Sequence, residues 1–249
     1  MRLTALAPLV LTALLAACGG DDDWGPEPTL PSPMSGAWQA SLSNGGTLNA
    51  VVLDDGRMWA VGIQNNYPGI QLSARTYAYA ENGRFDSDRV RYFDYGLNDL
   101  FGGTLQGSYV ANNSIRADLW LDGARDKSTY FLQPMPASMF NYNRPAVLND
   151  IAGSWTSDGM QVSVGINGSF EMAGDTSCRA SGSVRPHQSQ KNVFSLNLVL
   201  SGPFCTFSGS EFDGIAVVWR NNGKDELMAT ALSVNSNYTL SLSLLSVRS

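Results

Sequence analysis

The chain has 249 residues, of which 22 are acidic and 16 are basic, so its formal net charge is −6 at neutral pH. Binding to nucleic acid and electrostatic docking on an anionic membrane both need clustered positive charge, and the acidic balance argues against both. Only 15% of the residues are charged and 25 are glycine, a composition typical of exported β-proteins with many tight turns.

The N-terminus has the three parts of a secretory signal. Arg2 precedes an apolar run from Leu3 to Leu15, which is too short to span a bilayer as a helix, and small residues follow it. The ending Leu15-Ala16-Ala17-Cys18 resembles the lipobox of bacterial lipoproteins. The resemblance implies that residues 1–17 are a cleaved signal peptide and that Cys18 carries the acyl chains, such as palmitate. The alternative is an ordinary signal peptide with a cysteine nearby by chance.

Residues 18–35 predict a flexible tether after the lipidated cysteine. Glycine, proline and the acidic run Asp21–Asp23 favour an extended and solvated chain. Three adjacent carboxylates on a flexible segment do not form a preformed cation cage, so no metal site is predicted here. In the enterobacterial lipoprotein pattern an Asp after the cysteine retains the protein at the inner membrane. The Gly19 of this chain implies the outer membrane instead, and leaves open which leaflet.

Two further cysteines remain once the lipobox resemblance assigns Cys18 to the lipid. Cys178 and Cys205 form an even pair in an oxidising compartment, and we predict a disulfide between them. The alternative is a nucleophilic cysteine, which needs a basic partner. The one histidine of the chain, His187, lies in a predicted loop.

One structural plan occurs twice after the tether. Gly36-Ala37-Trp38 recurs as Gly153-Ser154-Trp155, and each copy is followed by a turn signal and an apolar-rich strand. We therefore predict two similar domains over residues 36–136 and 151–249. The linker at 137–150 leads into one predicted helical turn near Ile151.

Alternation with period two, punctuated by Asn-Gly and Asp-Gly turns, predicts strands throughout both halves. No segment shows a sustained 3.6-residue period. The strands predicted in the first half are Trp38–Leu42, Leu48–Leu53, Met58–Ile63, Ile70–Tyr79, Arg89–Tyr95, Thr104–Tyr109, Ser114–Leu121 and Thr129–Gln133. Those in the second half are Gly153–Thr156, Met160–Ile166, Ser169–Ala173, Cys178–Arg185, Val193–Leu200, Cys205–Ser210, Ile215–Arg220, Leu227–Ser233 and Tyr238–Leu244.

Short sequential strands with hairpin connections favour a meander, and closure into a barrel removes the exposed strand edges. We predict an all-β protein with two tandem small antiparallel meander barrels of about eight strands each, with β-sandwich domains as the alternative. An eight-stranded barrel is either packed solid or holds one small ligand. Trp38 and Trp155 are predicted to plug the cores of their domains, because large aromatic side chains bury most usefully in small cores.

The second half resembles the opening of avidin and lipocalin barrels. The segment Gly153–Gly159, followed by Met160–Ile166 and Asn167-Gly168, matches their Gly-x-Trp start, and Asn222–Leu227 resembles a late avidin hairpin. The resemblance implies a barrel whose first tryptophan closes one end. Avidins place a biotin-binding Asn two residues after that tryptophan. This chain has Ser157 there, so the resemblance implies the barrel and not the binding of biotin.

Catalytic signatures are scarce in the sequence. It has no Gly-x-Ser-x-Gly elbow, no His-Glu-x-x-His and no phosphate-binding glycine loop. The adjacent acids Asp54 and Asp55 precede Gly56, a pattern that favours a hairpin turn over a catalytic pair. No cofactor and no metal site are predicted, and whether the protein is an enzyme stays open, with binding favoured.

Aromatic residues are concentrated in the first half of the chain. Tyr77, Tyr79, Tyr92 and Tyr95 are candidate residues for contact with a ligand or partner, because tyrosine supplies rigid area with a polar group. The alternative is that they face the interior from neighbouring strands. We therefore expect a lipid-anchored, non-enzymatic bacterial envelope protein that binds a small ligand or a protein partner. The alternatives are an envelope hydrolase with Asp or Glu residues assembled by the fold, and a structural accessory lipoprotein.

Overall fold

A computed structural model describes residues 31–64, 69–157, 159–173, 178–234 and 240–249. The chain is all-β and forms two closed eight-stranded antiparallel barrels in tandem, which confirms the predicted fold class. None of the helices in these ranges combines the length and apolar character that a membrane crossing requires.

The first barrel is an antiparallel meander that closes on itself. Its strands are β1 (Gly36–Ser41), β2 (Thr47–Val52), β3 (Arg57–Gln64), β4 (Gly69–Tyr77), β5 (Tyr79–Glu81), β6 (Arg84–Asp94), β7 (Asp99–Val110), β8 (Ser114–Leu121) and β9 (Ser128–Pro134). The pairing of β4 with β6, together with that of β1 with β9, closes a ring of eight strands. The short β5 pairs only with β6 and lies outside this ring.

The second barrel repeats the same order without an extra strand. After the one-turn helix α1 (Leu148–Ile151) its strands are β10 (Gly153–Ser157), β11 (Met160–Val164), β12 (Ser169–Ala173), β13 (Arg179–Pro186), β14 (Phe194–Ser201), β15 (Glu211–Asn221), β16 (Lys224–Ser233) and β17 (Ser241–Arg248). The ring closes through β10 and β17. The predicted helical turn near Ile151 is confirmed.

A tryptophan plugs the same end of each barrel. Trp38 Nε1 donates to the carbonyl oxygen of Met34 at 2.9 Å, and Trp155 Nε1 donates to that of Ile151 at 3.0 Å. Both tryptophans are almost fully buried, at 2% and 0% exposure, as predicted. The glycine two residues before each one has a positive φ, which side-chain-bearing residues rarely adopt. The Gly-x-Trp motif therefore marks the same structural element twice.

The barrels pack side by side through a shared apolar core. Trp59 and Val61 from the first barrel meet Ile215, Val217 and Met228 from the second, and linker residues complete the cluster. At the end of the first barrel away from Trp38, Ser73 Oγ lies 2.8 Å from Ser241 Oγ. At the plugged end, Arg57 contacts His187. Corresponding ends of the two barrels therefore lie on the same side.

One predicted strand is wrong and others are longer than predicted. The segment Cys205–Ser210 is a series of turns that connects β14 to β15. The strand predicted to begin at Tyr238 begins at Ser241, and residues 235–239 lie outside the described residues. Strand β6 begins at Arg84, earlier than its alternation indicates, because a bulge between Ser87 and Val90 shifts the register there.

Candidate functional site

The interiors of the two barrels are filled differently. In the second barrel Phe170, Phe194 and Phe212 are at most 3% exposed and pack with leucine and valine side chains. The lumen of an eight-stranded barrel is just wide enough for side chains to fill, so small side chains there leave space. In the first barrel several positions that line the lumen are alanines: Ala50, Ala60, Ala74 and Ala117.

The alanines leave a small apolar cavity inside the first barrel, called the inner cavity below. Its volume is about 70 Å³, and Leu48, Leu105, Leu119 and Leu132 form much of the remaining wall. A cavity lined by apolar atoms offers water few hydrogen-bond partners, and such cavities stay dry. The inner cavity is therefore suited to an apolar group.

A larger open cavity, called the mouth below, lies at the end of the first barrel away from Trp38. Its volume is about 650 Å³, within the range of small-molecule sites. Its described wall comes from the end of β1 and the turn after it, from β3 and β4, from the end of β6 and the turn after it, and from the start of β9. Its described lining residues are Ser41, Leu42, Ser43, Asn44, Gln64, Ile70, Gln71, Leu72, Tyr92, Asp94, Tyr95, Gly96, Ser128, Thr129 and Tyr130.

Two tyrosines lie between the mouth and the inner cavity. Tyr92 and Tyr130 line both spaces, as does Leu72. Burial raises the pKa of Tyr92 well above its usual range, and Tyr130 and Asp94 raise it further. Burial also raises the pKa of Tyr130. Both phenols are therefore neutral at neutral pH, and each hydroxyl can donate or accept a hydrogen bond at the floor of the mouth.

Amide side chains form a connected rim on one side of the mouth. Asn44 Nδ2 donates to Gln71 Oε1 at 2.7 Å, and Gln71 Nε2 donates in turn to Gln64 Oε1. These bonds join the loop after β1 to both sides of the β3–β4 connection. The rim is therefore held in place by hydrogen bonds between segments that are distant in the sequence.

The four tyrosines predicted from the sequence do not form one surface. Tyr92 and Tyr95 both line the mouth, and the Tyr95 hydroxyl lies 3.3 Å from Ser241 Oγ of the second barrel. Tyr77 pairs with Arg57 near the plugged end. Tyr79 is 58% exposed, and its hydroxyl donates to Glu81 at 3.3 Å. The structure therefore brings together only two of the predicted residues. The mouth also contains Tyr130 and Asp94, which were not among the predicted site residues.

His187 belongs to a polar contact between the barrels. The guanidinium of Arg57 lies 3.4 Å from His187 Nε2. On the other side of the ring, Nδ1 accepts the backbone N–H of Ser189 at 3.2 Å and lies 3.0 Å from Ser189 Oγ. In a serine triad a carboxylate orients the imidazole, whereas here Arg57, itself paired with Asp55 at 2.6 Å, takes that place. The arrangement serves as an interdomain contact.

Stability should depend on His187 under mildly acidic conditions. Burial first, and then Arg57, hold the pKa of His187 below its usual 6.5, with Asp55 and Asp54 opposing. The unfolded chain therefore takes up a proton that the folded chain does not. As the pH falls below about 6.5, we expect the free energy of unfolding to fall by at most about 1.4 kcal/mol per pH unit.

Urea unfolding between pH 7.5 and 5.5 measures this effect, and His187→Gln should flatten the profile. The chain has no other histidine, so the comparison isolates one side chain. An unchanged slope in the variant would show that His187 titrates normally in the folded protein.

The predicted carboxylate pairs serve local structure. Asp55 Oδ1 accepts the backbone N–H of Arg57 at 3.0 Å, so the pair before Gly56 stabilises the β2–β3 turn as predicted. Asp54 accepts a hydrogen bond from the Tyr142 hydroxyl at 3.3 Å. In the part of the chain that the structure describes, no group of three or more His, Cys, Asp or Glu is placed to hold a metal ion.

Two further grooves contain ion pairs. One of about 620 Å³ lies along the linker, where Arg144 pairs with Asp150 at 2.6 Å. Another of about 540 Å³ lies on the outer wall of the first barrel, where Asp118 binds Lys127 at 2.7 Å. Neither groove has an apolar cavity beneath it among the described residues. The mouth, with Asp94 as the one charged residue of its described lining and the inner cavity beneath it, is the stronger candidate site.

Comparison of the chain with protein-family models, with curated proteins and with solved structures finds no significant match.

Proposed function

We propose that this chain is a lipid-anchored, non-enzymatic protein of the bacterial cell envelope, and that its first barrel binds a small amphipathic ligand in the mouth. The observation that carries the proposal is the pair of adjacent spaces that share part of their walls. An open cavity of about 650 Å³ with hydroxyl and amide groups lies above an apolar cavity of about 70 Å³, and three residues line both. The apolar part of the ligand faces the inner cavity, and its polar part faces the rim.

The second barrel acts in this proposal as a support for the first. The described residues of its core are closely packed, and its strand β17 contacts the wall of the mouth from outside. Ser241 contacts Tyr95, which lines the mouth, and Ser73, which lies on the adjoining strand β4. These contacts restrict the movement of β4 and of the turn after β6. A site built on restrained elements loses less entropy on binding.

The lipid anchor is supported by the N-terminal sequence and by the place where the chain enters the first barrel. Cys18 lies outside the described residues, whereas Met34 is buried beside Trp38 at the plugged end. The segment between them can extend to about 50 Å. A tether that joins the plugged end leaves the mouth at the opposite end open to solvent.

Replacing Cys18 with serine should release the protein from the membrane. Stable anchoring needs more than one acyl chain, and the cysteine sulfur and the new N-terminus are the sites that lipoproteins acylate. We expect the wild-type chain in the detergent-rich phase of a Triton X-114 extraction and the variant in the aqueous phase. Equal partitioning of the two chains would contradict the anchor.

Filling the mouth should abolish binding of a neutral probe. The probe is 3,3-dimethyl-1-butanol, whose tert-butyl group suits the inner cavity and whose hydroxyl suits the rim. Ser128 lines the mouth and is exposed, so a tryptophan there occupies the mouth without entering the packed core. With Cys18→Ser as background, we expect Ser128→Trp to weaken binding at least about tenfold, about 1.4 kcal/mol, by NMR titration.

Ser108→Trp is the matched control for this experiment. Ser108 is exposed on the outer wall of the same barrel, so the substitution adds the same side chain away from the mouth. Binding should persist in this variant. If both variants bind the alcohol as well as the parent does, or if the parent does not bind it, the proposed site is wrong.

A further inference from the structure

The described residues that line the mouth carry negative charge and no positive charge. Among the described residues that line it, Asp94 is the only carboxylate and no lysine, arginine or histidine is present. The remaining polar groups are hydroxyls and amides, which accept both neutral and charged ligands. An anion in the mouth would face a carboxylate with no cation beside it, whereas a cation would meet an opposite charge.

Asp94 is positioned to act on a ligand in the mouth. It pairs in register with Leu72, which lines both the mouth and the inner cavity. Its Oδ1 atom accepts the backbone N–H groups of Gly96 at 2.8 Å and Leu97 at 3.0 Å, which fixes the carboxylate at the start of the β6–β7 turn. Both of these hydrogen bonds use Oδ1, and among the described residues no hydrogen bond to Oδ2 is present.

Three tyrosines line the mouth together with this carboxylate. Tyr92 and Tyr130 form its floor, and Tyr95 lies beside Asp94 against Phe93, with ring centroids 4.7 Å apart. The face of an aromatic ring attracts a cation within about 6 Å of its centroid, more strongly where water is excluded. Aromatic rings around one carboxylate are a combination that recognises an organic cation better than a hydrated metal ion, which needs several oxygen ligands.

We propose that the ligand of the mouth is a small organic ammonium ion, held by the Asp94 carboxylate and by the rings of Tyr92 and Tyr130. This inference rests on the proposed function, because it names the ligand class of the same site. The charged nitrogen lies at the level of Asp94, and its apolar substituents face Leu72 and the inner cavity. Small aliphatic substituents fit this space, since the inner cavity holds only about 70 Å³.

The test compares three probes of one shape and different charge. Choline carries a trimethylammonium group, 3,3-dimethyl-1-butanol is its uncharged carbon isostere, and 3,3-dimethylbutanoate is an anion of similar size. With the full chain carrying Cys18→Ser, we expect choline to bind about tenfold more tightly than the alcohol and the anion to bind more weakly than the alcohol. Added salt should reduce the preference for choline, because the mouth is open to solvent.

Asp94→Asn tests whether the Asp94 carboxylate is the group that attracts the cation, and Asp88→Asn is its matched control. The asparagine oxygen can still accept the N–H groups of Gly96 and Leu97, so the turn is retained. Asp88 lies on the same strand, its side chain is 88% exposed, and it is not among the residues that line the mouth. The ratio of choline to alcohol affinity should fall to about one in Asp94→Asn and stay near ten in Asp88→Asn.

The outcomes separate this inference from the proposed function. If the alcohol binds and choline binds no better, the mouth is a neutral site and the ammonium assignment is overturned while the proposed function stands. A preference for choline that survives Asp94→Asn also overturns the assignment. If none of the three probes binds, the proposed function fails as well.

Discussion

Replacing Trp155 with alanine should lower the free energy of unfolding of the second barrel by about 4 kcal/mol. The indole is 0% exposed, donates to Ile151, and has the Arg248 guanidinium 4.2 Å from its ring centroid. The substitution leaves a cavity at the plugged end and an unpaired carbonyl on the last residue of α1. Urea unfolding followed by fluorescence measures the loss, and a cost below about 1 kcal/mol would show that the ring is not a plug.

Two control variants show whether the loss of stability in Trp155→Ala comes from the buried ring and its hydrogen bond. Trp120→Ala removes the same side chain from the outer wall of the first barrel, where it is 39% exposed, and should cost less than about 1 kcal/mol. Trp155→Phe keeps most of the apolar volume and removes the donor, leaving the Ile151 carbonyl without its bond. Its cost should be about 1–2 kcal/mol, between the other two.

Removal of the disulfide should have the second-largest effect on stability. Cys178 and Cys205 are bonded, as predicted, and are separated by 27 residues in the sequence. A cross-link over a loop of this length restricts the unfolded chain and stabilises the fold by about 3.5 kcal/mol in the chain-entropy description. We expect the double variant Cys178→Ser with Cys205→Ser to lose about this amount in urea unfolding.

Reduction provides the control for this second prediction. Dithiothreitol should destabilise the wild-type chain to about the level of the double variant and should leave the double variant itself unchanged. The first barrel contains no part of the bridge. A wild-type chain equally stable with and without reductant would mean that the unfolded state gains nothing from opening the loop.

Much of the fold could be predicted because its signals are local. The Gly-x-Trp motif located the first strand of each barrel, and alternation with Asn-Gly and Asp-Gly turns located most of the others. The failure at Cys205–Ser210 has a physical reason. Phe204 and Phe207 make the segment look like a strand, but both are exposed at 85% and 49%, and the disulfide holds a series of turns there. Local alternation does not reveal this constraint.

The site could be predicted only in part because segments distant in the sequence build it. Tyr92 and Tyr95 lie on one segment and were found by their aromatic density. Tyr130 reaches the mouth from β9, and its role depends on how the ring closes. Asp94 was not predicted as a site residue, because only its register with Leu72 across the barrel wall directs it into the mouth. Conversely, Tyr79 was predicted to lie with Tyr92 because the two residues are close in the sequence. Tyr79 belongs to the short strand β5, which lies outside the closed ring of strands.

The central claim is that the mouth of the first barrel binds a small ligand. Amide ¹H–¹⁵N spectra of the full chain carrying Cys18→Ser, titrated with 3,3-dimethyl-1-butanol, test it residue by residue. The account predicts saturable shift changes concentrated at Leu42, Leu72, Tyr92 and Tyr130, with Phe194 in the second barrel unmoved. Changes centred on the second barrel, or no saturable changes at the mouth, would contradict it.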